Sequence, residues 1–558
     1  LYKSIIFLSI SNKMPLSIYF SRNLPTMSQS CKHIPFSSTQ MFSKLINDYV
    51  ESKGTALNFV QYAPNLEGYR AAIEGRKKHP INRNLLFDVL TKQYANLPQE
   101  NAVNNQIALL NKDNTFVITT AHQPNLFTGP LYFFYKIIHA IQLAASLKEA
   151  FPECNFVPVY YMGSEDADLE EVGSFNLDAK NYQWATKQTG AIGRMQVDDA
   201  LLVLLKQLES YWTILPQGQK ALEILKEAYQ KGKTISEATL SFVHAFFGSK
   251  GLLVLQPDDA ALKAAFIPVM EKELMSGFSH EAIQPTIAAL SKDYHVQSEG
   301  RSINLFYLKD NLRARIEKQG EQFIVVDTDI QFTQAEIMAE LHQHPERFSP
   351  NVILRGVYQE TILPGIVFVG GGGELAYWME LKNVFQAVGV HYPLLQLRNS
   401  FLLMSHKQAE QWSAMQFEEQ DLFKPVLELE IAYVKKHTNT KLDLQDQLNQ
   451  LSNLYINIKN QAVQVDASLG AHAENLAQQV KAKLLALEKK MLRAERRKQS
   501  VDIQRIHRIK KELFPQNNLQ EREEHFSKWV GQYGLSWIDT IMENSKGLES
   551  KFSIIKFD

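Results

Sequence analysis

The sequence predicts an α/β protein: a doubly wound parallel sheet with helical lobes inserted into it and a helical coiled-coil arm after it. Three observations carry that expectation. Between about residues 115 and 162 an apolar run, a loop, a long amphipathic stretch and a second apolar run follow one another. Further short runs rich in Val, Leu and Ile occur at 251–256 and within 352–370. From Leu444 onward the apolar residues form a seam with alternating spacings of four and three.

The elements follow in chain order. Residues 1–26 open on Leu1, carry the apolar string Ile5-Ile6-Phe7-Leu8 and include Met14, with Met27 just beyond. They are expected to be a mis-extended start or a disordered leader and are set aside from the fold. Phe116-Val117-Ile118 reads as a buried strand, Leu131 to Leu147 repeats apolar residues at helical spacing, and Phe156 to Tyr161 reads as the next strand. Strands apolar on both faces belong to parallel sheets, because the crossover helices cover both sides. Within an expected core of 27–400, segments 170–250 and 258–345 read as mostly helical inserted lobes, the second with a hairpin-like stretch around 303–307 and 323–326. No repeat of 20–50 residues is visible, which excludes a solenoid or propeller.

The expected arm covers 401–515. Leu444, Leu448, Leu451, Tyr455, Ile458, Ala462 and Val465 form one seam, and 466–470 is a polar break. Val480, Leu484, Leu487, Met491 and Ala494 form a second, which continues after a one-residue slip through Ile506, Ile509 and Leu513 until Pro515 stops it. Two helices joined by a short turn make an antiparallel hairpin, serving either as an intramolecular arm or as a surface for a homodimer. Residues 516–558 are expected to pack back on the core.

Composition bounds the function. Hydrophobic residues at 45% and charged residues at 21% fit a sizeable core and exclude a disordered chain. Lys+Arg at 59 against Asp+Glu at 60, a net charge of -1, gives no global attraction to nucleic acid or an acidic membrane. The basic string Lys489-Lys490, Arg493, Arg496-Arg497-Lys498 reads as the solvated faces of the coil beside Glu488 and Glu495, with no aromatics to stack bases. Cys31 and Cys154 form neither a CxxC pair nor a zinc set, so no zinc is expected and a reducing, cytoplasmic setting fits. No apolar run reaches the length of a membrane span.

Three clusters can carry chemistry. The first runs from Thr119 to Tyr132 and contains His122-Gln123-Pro124-Asn125-Leu126-Phe127-Thr128-Gly129-Pro130. It lies at the carboxyl end of the first strand, where open α/β sheets bind ligands. Thr128 is read as the N-cap, Gly129 as a close-approach residue and Pro130 as the first helical residue, so that free amides face a phosphate or carboxylate. His122 would donate to developing charge, and Lys136 would add a point charge. The bland reading is a braced loop.

The second cluster holds Glu165, Asp166 and Asp168, just past the second strand. Acidic groups there can hold Mg²⁺ on a nucleotide, bind an amine or act as a general base, or merely complement a helix dipole. The third runs from Pro364 to Trp378 and includes Gly371, Gly373, Glu374 and Tyr377, with Arg355 before it and Arg398-Asn399 after the next apolar run. It offers a backbone-lined anion site with carboxylate or phosphate recognition, or a tight glycine turn among solvated charges. No GxxxxGK[ST], GxSxG or HExxH occurs, which disfavours P-loop, hydrolase and zincin chemistry.

The strings HQPNLFTGPLYFFYKI, SEDADLEEV, RGVYQETILPGIVFVGGGGELAYWMELK and KKMLRAERRKQ resemble, in order and spacing, those of the bacillithiol biosynthesis cysteine-adding enzymes. The resemblance implies a Rossmann-like core with connecting-peptide lobes, a C-terminal coiled coil and a homodimer. It also implies a ligase that joins L-cysteine to the amine of glucosaminyl-malate after activation by ATP with Mg²⁺, as an adenylate or an acyl-phosphate. His122, Thr128 and Gly129 would then contact phosphate, Glu165, Asp166 and Asp168 the amine or Mg²⁺, and Glu374, Tyr377 and Arg398 the sugar-malate. Many members carry His where this chain has Ala167 and Pro where it has Gly372. A nucleotide-binding scaffold without turnover, or another nucleotidylyl transfer on a similar sheet, are the alternatives.

Overall fold

The computed structural model describes residues 29–177, 180–297 and 300–557, so the leader read at 1–26 lies outside the described residues. At its centre is a five-stranded parallel sheet of β1 (Thr115–His122), β2 (Asn155–Met162), β3 (Leu253–Leu255), β4 (Gly365–Gly370) and β5 (Leu394–Leu397), in the order β5-β4-β1-β2-β3. Strand order reverses between β1 and β4, which are adjacent in space and far apart in sequence. Every residue of both strands is buried. Side chains alternate across β1: Phe116 and Ile118 meet Tyr69 and Ile73 of helix Leu66–Lys77, while Val117 and Ala121 join the main core with Leu86 and Leu90 of helix Arg83–Tyr94. Helices therefore cover both faces, and the crossover from β1 to β2 is α1 (Tyr132–Ala150).

One expected strand region divides differently. Residues 352–370 contain α2 (Val352–Ile362) followed by β4. Ile353, Leu354, Val357 and Tyr358 bury one helical stripe, and Asn351 caps the helix by accepting from the Ile353 N–H at 2.9 Å. A short apolar run reads alike as strand or buried helix. After β4 come the glycines and α3 (Gly372–Glu380).

The first lobe is helical (Asp199–Trp212, Gly218–Ala228 and Ile235–Phe247) beside a two-stranded ribbon of Ser174–Leu177 and Lys180–Gln183. The second holds more strand than expected. Gln331–Thr333, Gln322–Val325, Leu312–Gln319, Leu305–Lys309 and Phe348–Pro350 form an antiparallel sheet in that spatial order. Leu312–Gln319 is rich in charged residues and mostly half-exposed, so it shows no clean apolar alternation.

The arm is the antiparallel hairpin of α4 (Gln445–Val465) and α5 (Leu469–Lys498). Lys459 pairs with Glu474, and the Leu444 N–H donates to Glu488 at 3.3 Å, which fixes the antiparallel register. The one-residue slip is Gln499, the break before α6 (Ser500–Leu513). The buried stripe Ile503, Ile506, Ile509 and Leu513 sets α6 against helix Val426–His437. No residue of α4 is fully buried, and only Gly470 and Ala473 of α5 are.

Two connections return the chain to the core. Strand Phe552–Phe557 runs antiparallel to Gln29–Ile34 and parallel to Ser400–Ser405, between the two. Before it, the short helix Gln520–Glu523 delivers Glu521, whose carboxylate accepts from Arg398 Nη1 and Nη2 at 3.0 and 2.7 Å with both groups buried. Removing one partner of such a pair strands the other charge in the interior. Glu521→Ala is therefore expected to lose about 3–5 kcal/mol in urea unfolding, whereas substitutions of the exposed Glu512 should change it by less than about 0.5 kcal/mol.

Candidate functional site

A cavity of about 370 Å³ opens at the carboxyl ends of β1 and β4, where the strand order reverses. In open α/β sheets this point forms a crevice, because the connections on its two sides leave in opposite directions. The second lobe supplies Arg313, Ser349 and Pro350 to its wall.

His122 ends β1, with its ring edge-on to Tyr132 at 5.2 Å and tilted on Phe133. Burial, helped by Lys136, Arg355 and Arg398, holds the imidazole well below its ordinary pKa, so it is neutral. Its buried Nε2 has no hydrogen-bond partner.

The turn after His122 differs from the expected cap. Phe127, Thr128 and Gly129 take φ of 50°, 73° and 68° in succession, and helix α1 begins at Tyr132 with Leu131 as N-cap. Thr128 is thus not the cap, Pro130 is not the first helical residue, and neither Thr128 nor Gly129 lines the cavity. Left-handed φ at two non-glycine residues costs on the order of 1–3 kcal/mol each and persists only where neighbours hold it. Here His525 Nε2 donates to the Phe127 carbonyl at 3.1 Å and the Leu131 N–H donates to the Glu524 carbonyl at 2.9 Å. Because the carbonyl can only accept, Nε2 carries the proton and Nδ1 faces Ser527 as an acceptor at 2.8 Å.

Lys136 reaches the cavity from α1. Its buried ammonium donates to the Ala121 carbonyl at 2.9 Å and pairs with Glu374 at 2.6 Å. Burial lowers its pKa, opposed by Glu374. Glu374 also accepts the Gly371 N–H at 2.9 Å, closing the start of α3 on itself. Gly371 and Gly373 line the cavity beside it. Arg355, on α2, donates from Nη2 to the Tyr377 hydroxyl at 2.6 Å.

The acidic motif divides three ways. Glu165 is buried and paired with Lys263, which also donates to the Phe348 carbonyl at 2.6 Å; burial pushes the Glu165 carboxyl up against the pull of that lysine. Burial acts to raise the Asp166 carboxyl too, but Gln123 Nε2 at 2.7 Å, Arg313 at 3.6 Å and the Ala167 N–H at 2.9 Å hold it below its ordinary value. Asp168 lies off the cavity and caps helix Leu169–Val172, accepting from the Glu171 N–H at 3.1 Å. The Ala167 side chain does not line the cavity.

Arg398 spends both terminal nitrogens on Glu521, while its Nε, buried on the cavity wall, has no partner. Asn399 is structural: its amide donates to the Glu549 carbonyl at 3.2 Å and its oxygen accepts from Ser545. Of the expected site residues the fold therefore assembles His122, Lys136, Glu165, Asp166, Arg355, Gly371, Gly373, Glu374, Tyr377 and Arg398 around one cavity, and leaves Thr128, Gly129, Asp168 and Asn399 outside it. It adds Gln123, Glu171, Arg313 and Arg522 to the lining and Lys263 behind Glu165. Gln123 and Glu171 belong to the strings HQPNLFTGPLYFFYKI and SEDADLEEV, whereas Arg313, Arg522 and Lys263 carry no local motif that singles them out.

Fold and cavity together define a Rossmann-like α/β protein with a cation-rich site at its switch point and a coiled-coil arm. The family model described as "Bacillithiol biosynthesis BshC, N-terminal Rossmann-like domain" matches residues 29–399, and the one described as "Bacillithiol biosynthesis BshC, C-terminal coiled-coil domain" matches 401–557. Among curated relatives, a Flavobacterium johnsoniae protein is 39% identical over 94% of this chain and 99% of its own length. One from Christiangramia forsetii is 39% identical over 94% and 98%, and one from Bacillus cereus 24% over 92% and 98%. All three are named "Putative cysteine ligase BshC". The chain belongs to the bacillithiol biosynthesis BshC family.

The locked turn gives a pH signature. Burial depresses His525 to about 3, against about 6.5 in an unfolded chain. Below pH 6.5 the unfolded state takes a proton that the folded state refuses. The His525 contribution is thus complete above 6.5 and falls away towards 3, by about 1.4 kcal/mol per pH unit. Urea unfolding at pH 6, 5 and 4 should show a shallower loss for His525→Gln than for the parent.

Proposed function

We propose that the chain joins the carboxyl group of L-cysteine to the amine of glucosaminyl-malate, the last step of bacillithiol synthesis, with ATP and Mg²⁺ activating the carboxylate. One observation carries the reading. His122 Nε2, Arg398 Nε and Arg313 Nε, all on residues lining the switch-point cavity, are buried without a protein partner. Buried polar groups are nearly always satisfied, so such nitrogens suit the oxygens of a bound anion. A phosphate chain and a dicarboxylate both supply them.

The chemistry needs such a site. A free carboxylate and an amine exchange a proton rather than condense, and ATP supplies the leaving group. The fixed charges of Lys136, Arg355 and Arg398 stabilise negative charge as it develops, with no reorganisation at the moment of reaction. A neutral His122 donates one N–H to that charge without bringing a further cation. Asp166, kept ionised, and Glu171 are the carboxylates that orient the incoming amine. No group of three or more His, Cys, Asp or Glu among the described residues is arranged to hold a metal. Mg²⁺ carried on phosphates needs only one or two protein carboxylates. The exposed Leu454, Ile456 and Leu487 of the arm suit a homodimer, and the thiol chemistry a cytoplasmic setting. Among the described residues, no helix is long and apolar enough to cross a membrane.

Protein incubated with cysteine, glucosaminyl-malate and Mg-ATP should yield bacillithiol by mass spectrometry, and none when ATP is left out. Product without ATP would remove the activation step; bound nucleotide without product would favour a scaffold. His122→Ala and Asp166→Ala should each lower turnover at least about 100-fold, with cooperative thermal unfolding retained. Full turnover in either variant would reject that residue's role.

A further inference from the structure

The cations around the cavity differ in what they are already doing. Lys136 is committed to Glu374, Arg313 to Asp166, Arg355 to the Tyr377 hydroxyl and Arg398 to Glu521. Arg522 lines the same cavity, is exposed, and its guanidinium makes no ion pair or hydrogen bond among the described residues.

Its backbone is nevertheless fixed. On one side Glu521 is buried against Arg398, and Gln520 exchanges hydrogen bonds with the Leu403 backbone at 2.9 and 3.0 Å. On the other side Glu524 accepts the Leu131 N–H and His525 holds the Phe127 carbonyl. The Cα of Arg522 therefore sits on a strut anchored at one end to Arg398 in the cavity wall and at the other to the turn after β1, with a free cationic tip at the cavity mouth. A long arginine held at its base and free at its end is suited to closing on an anion that enters from solvent, because only the side chain remains to be ordered.

We infer that Arg522 is a substrate-binding residue of this site, closing over an oxyanion group of an entering substrate by a forked pair of N–H donations. The assignment rests on the ligase reading for its setting and adds a residue from beyond the coiled-coil arm. Two substrates present the required chemistry: the malate carboxylates of the sugar-malate and the phosphates of ATP.

The test uses the full chain, its Arg522→Ala and Arg522→Lys variants, and thermal unfolding as a control that this exposed residue leaves the fold intact. Initial rates are measured with glucosaminyl-malate and with ATP varied in turn, and calorimetry follows malate and ATP binding without cysteine. Arg522→Ala should raise one KM at least about tenfold while kcat stays within about threefold, and weaken the matching probe by a similar factor. Arg522→Lys should recover part of the loss. An effect on glucosaminyl-malate and malate assigns the carboxylates; an effect on ATP assigns the phosphates. Unchanged KM values with unchanged probe binding overturn the inference. If the parent protein makes no product, the ligase reading fails on its own and calorimetry still decides Arg522: weaker binding in Arg522→Ala upholds it, and equal or absent binding in both proteins overturns it.

Discussion

The structure depends on the lateral pairing of β1 with β4. Val367, Phe368 and Val369 register against Ile118, Thr119 and Thr120, joining two segments separated by both inserted lobes. Once these strands lie side by side, the turn after His122 and the glycines after Gly370 share one edge of the sheet. The crossover helices must then leave on opposite sides. The cavity is a consequence of that topology, and the catalytic candidates follow from which residues end those strands. Thr120 adds a tie across the pair, its hydroxyl donating to the Val369 carbonyl at 2.9 Å.

Around the cavity most charge is already neutralised by the protein. Lys136 with Glu374, Glu165 with Lys263 and Arg398 with Glu521 are buried or nearly buried pairs. Isolated charges would be prohibitive there, and even paired ones add little net stability. What they provide is a fixed electrostatic environment. Arg398 illustrates the arrangement: Glu521 holds its two outer nitrogens rigidly while the inner Nε faces the cavity. The same residue is thus a structural pin on one side and a donor on the other.

What the sequence revealed followed from periodicity. β1, α1 and β2 were legible because apolar residues dominate them, and the arm because its seam repeats over several heptads. The break at Gln499 was visible as a slip in that seam. The turn at Phe127 was not, since nothing in a buried phenylalanine announces a left-handed backbone that His525, far along the chain, holds in place. Helix α2 was read as strand because its apolar run is short. Arg313 and Lys263 were missed for a similar reason: their partners lie in remote segments, with Lys263 98 residues from Glu165. The candidate site was legible where it rests on strand ends, and hidden where tertiary structure brings in a wall.

Strand Phe552–Phe557 lies between Gln29–Ile34 and Ser400–Ser405, so the last described strand is the middle of its sheet. This ordering imposes a sequence of events on synthesis. The parallel sheet can form while the arm is still emerging, but Gln29–Ile34 has no strand to pair with until residues near 557 are available. Until then two strand edges stand open, and open edges recruit other chains. The strut that fixes Arg398 also arrives only after the whole arm. A growing or truncated chain is consequently left with sticky edges, and pairing of Gln29–Ile34 with Phe552–Phe557 coincides with completion of the candidate site.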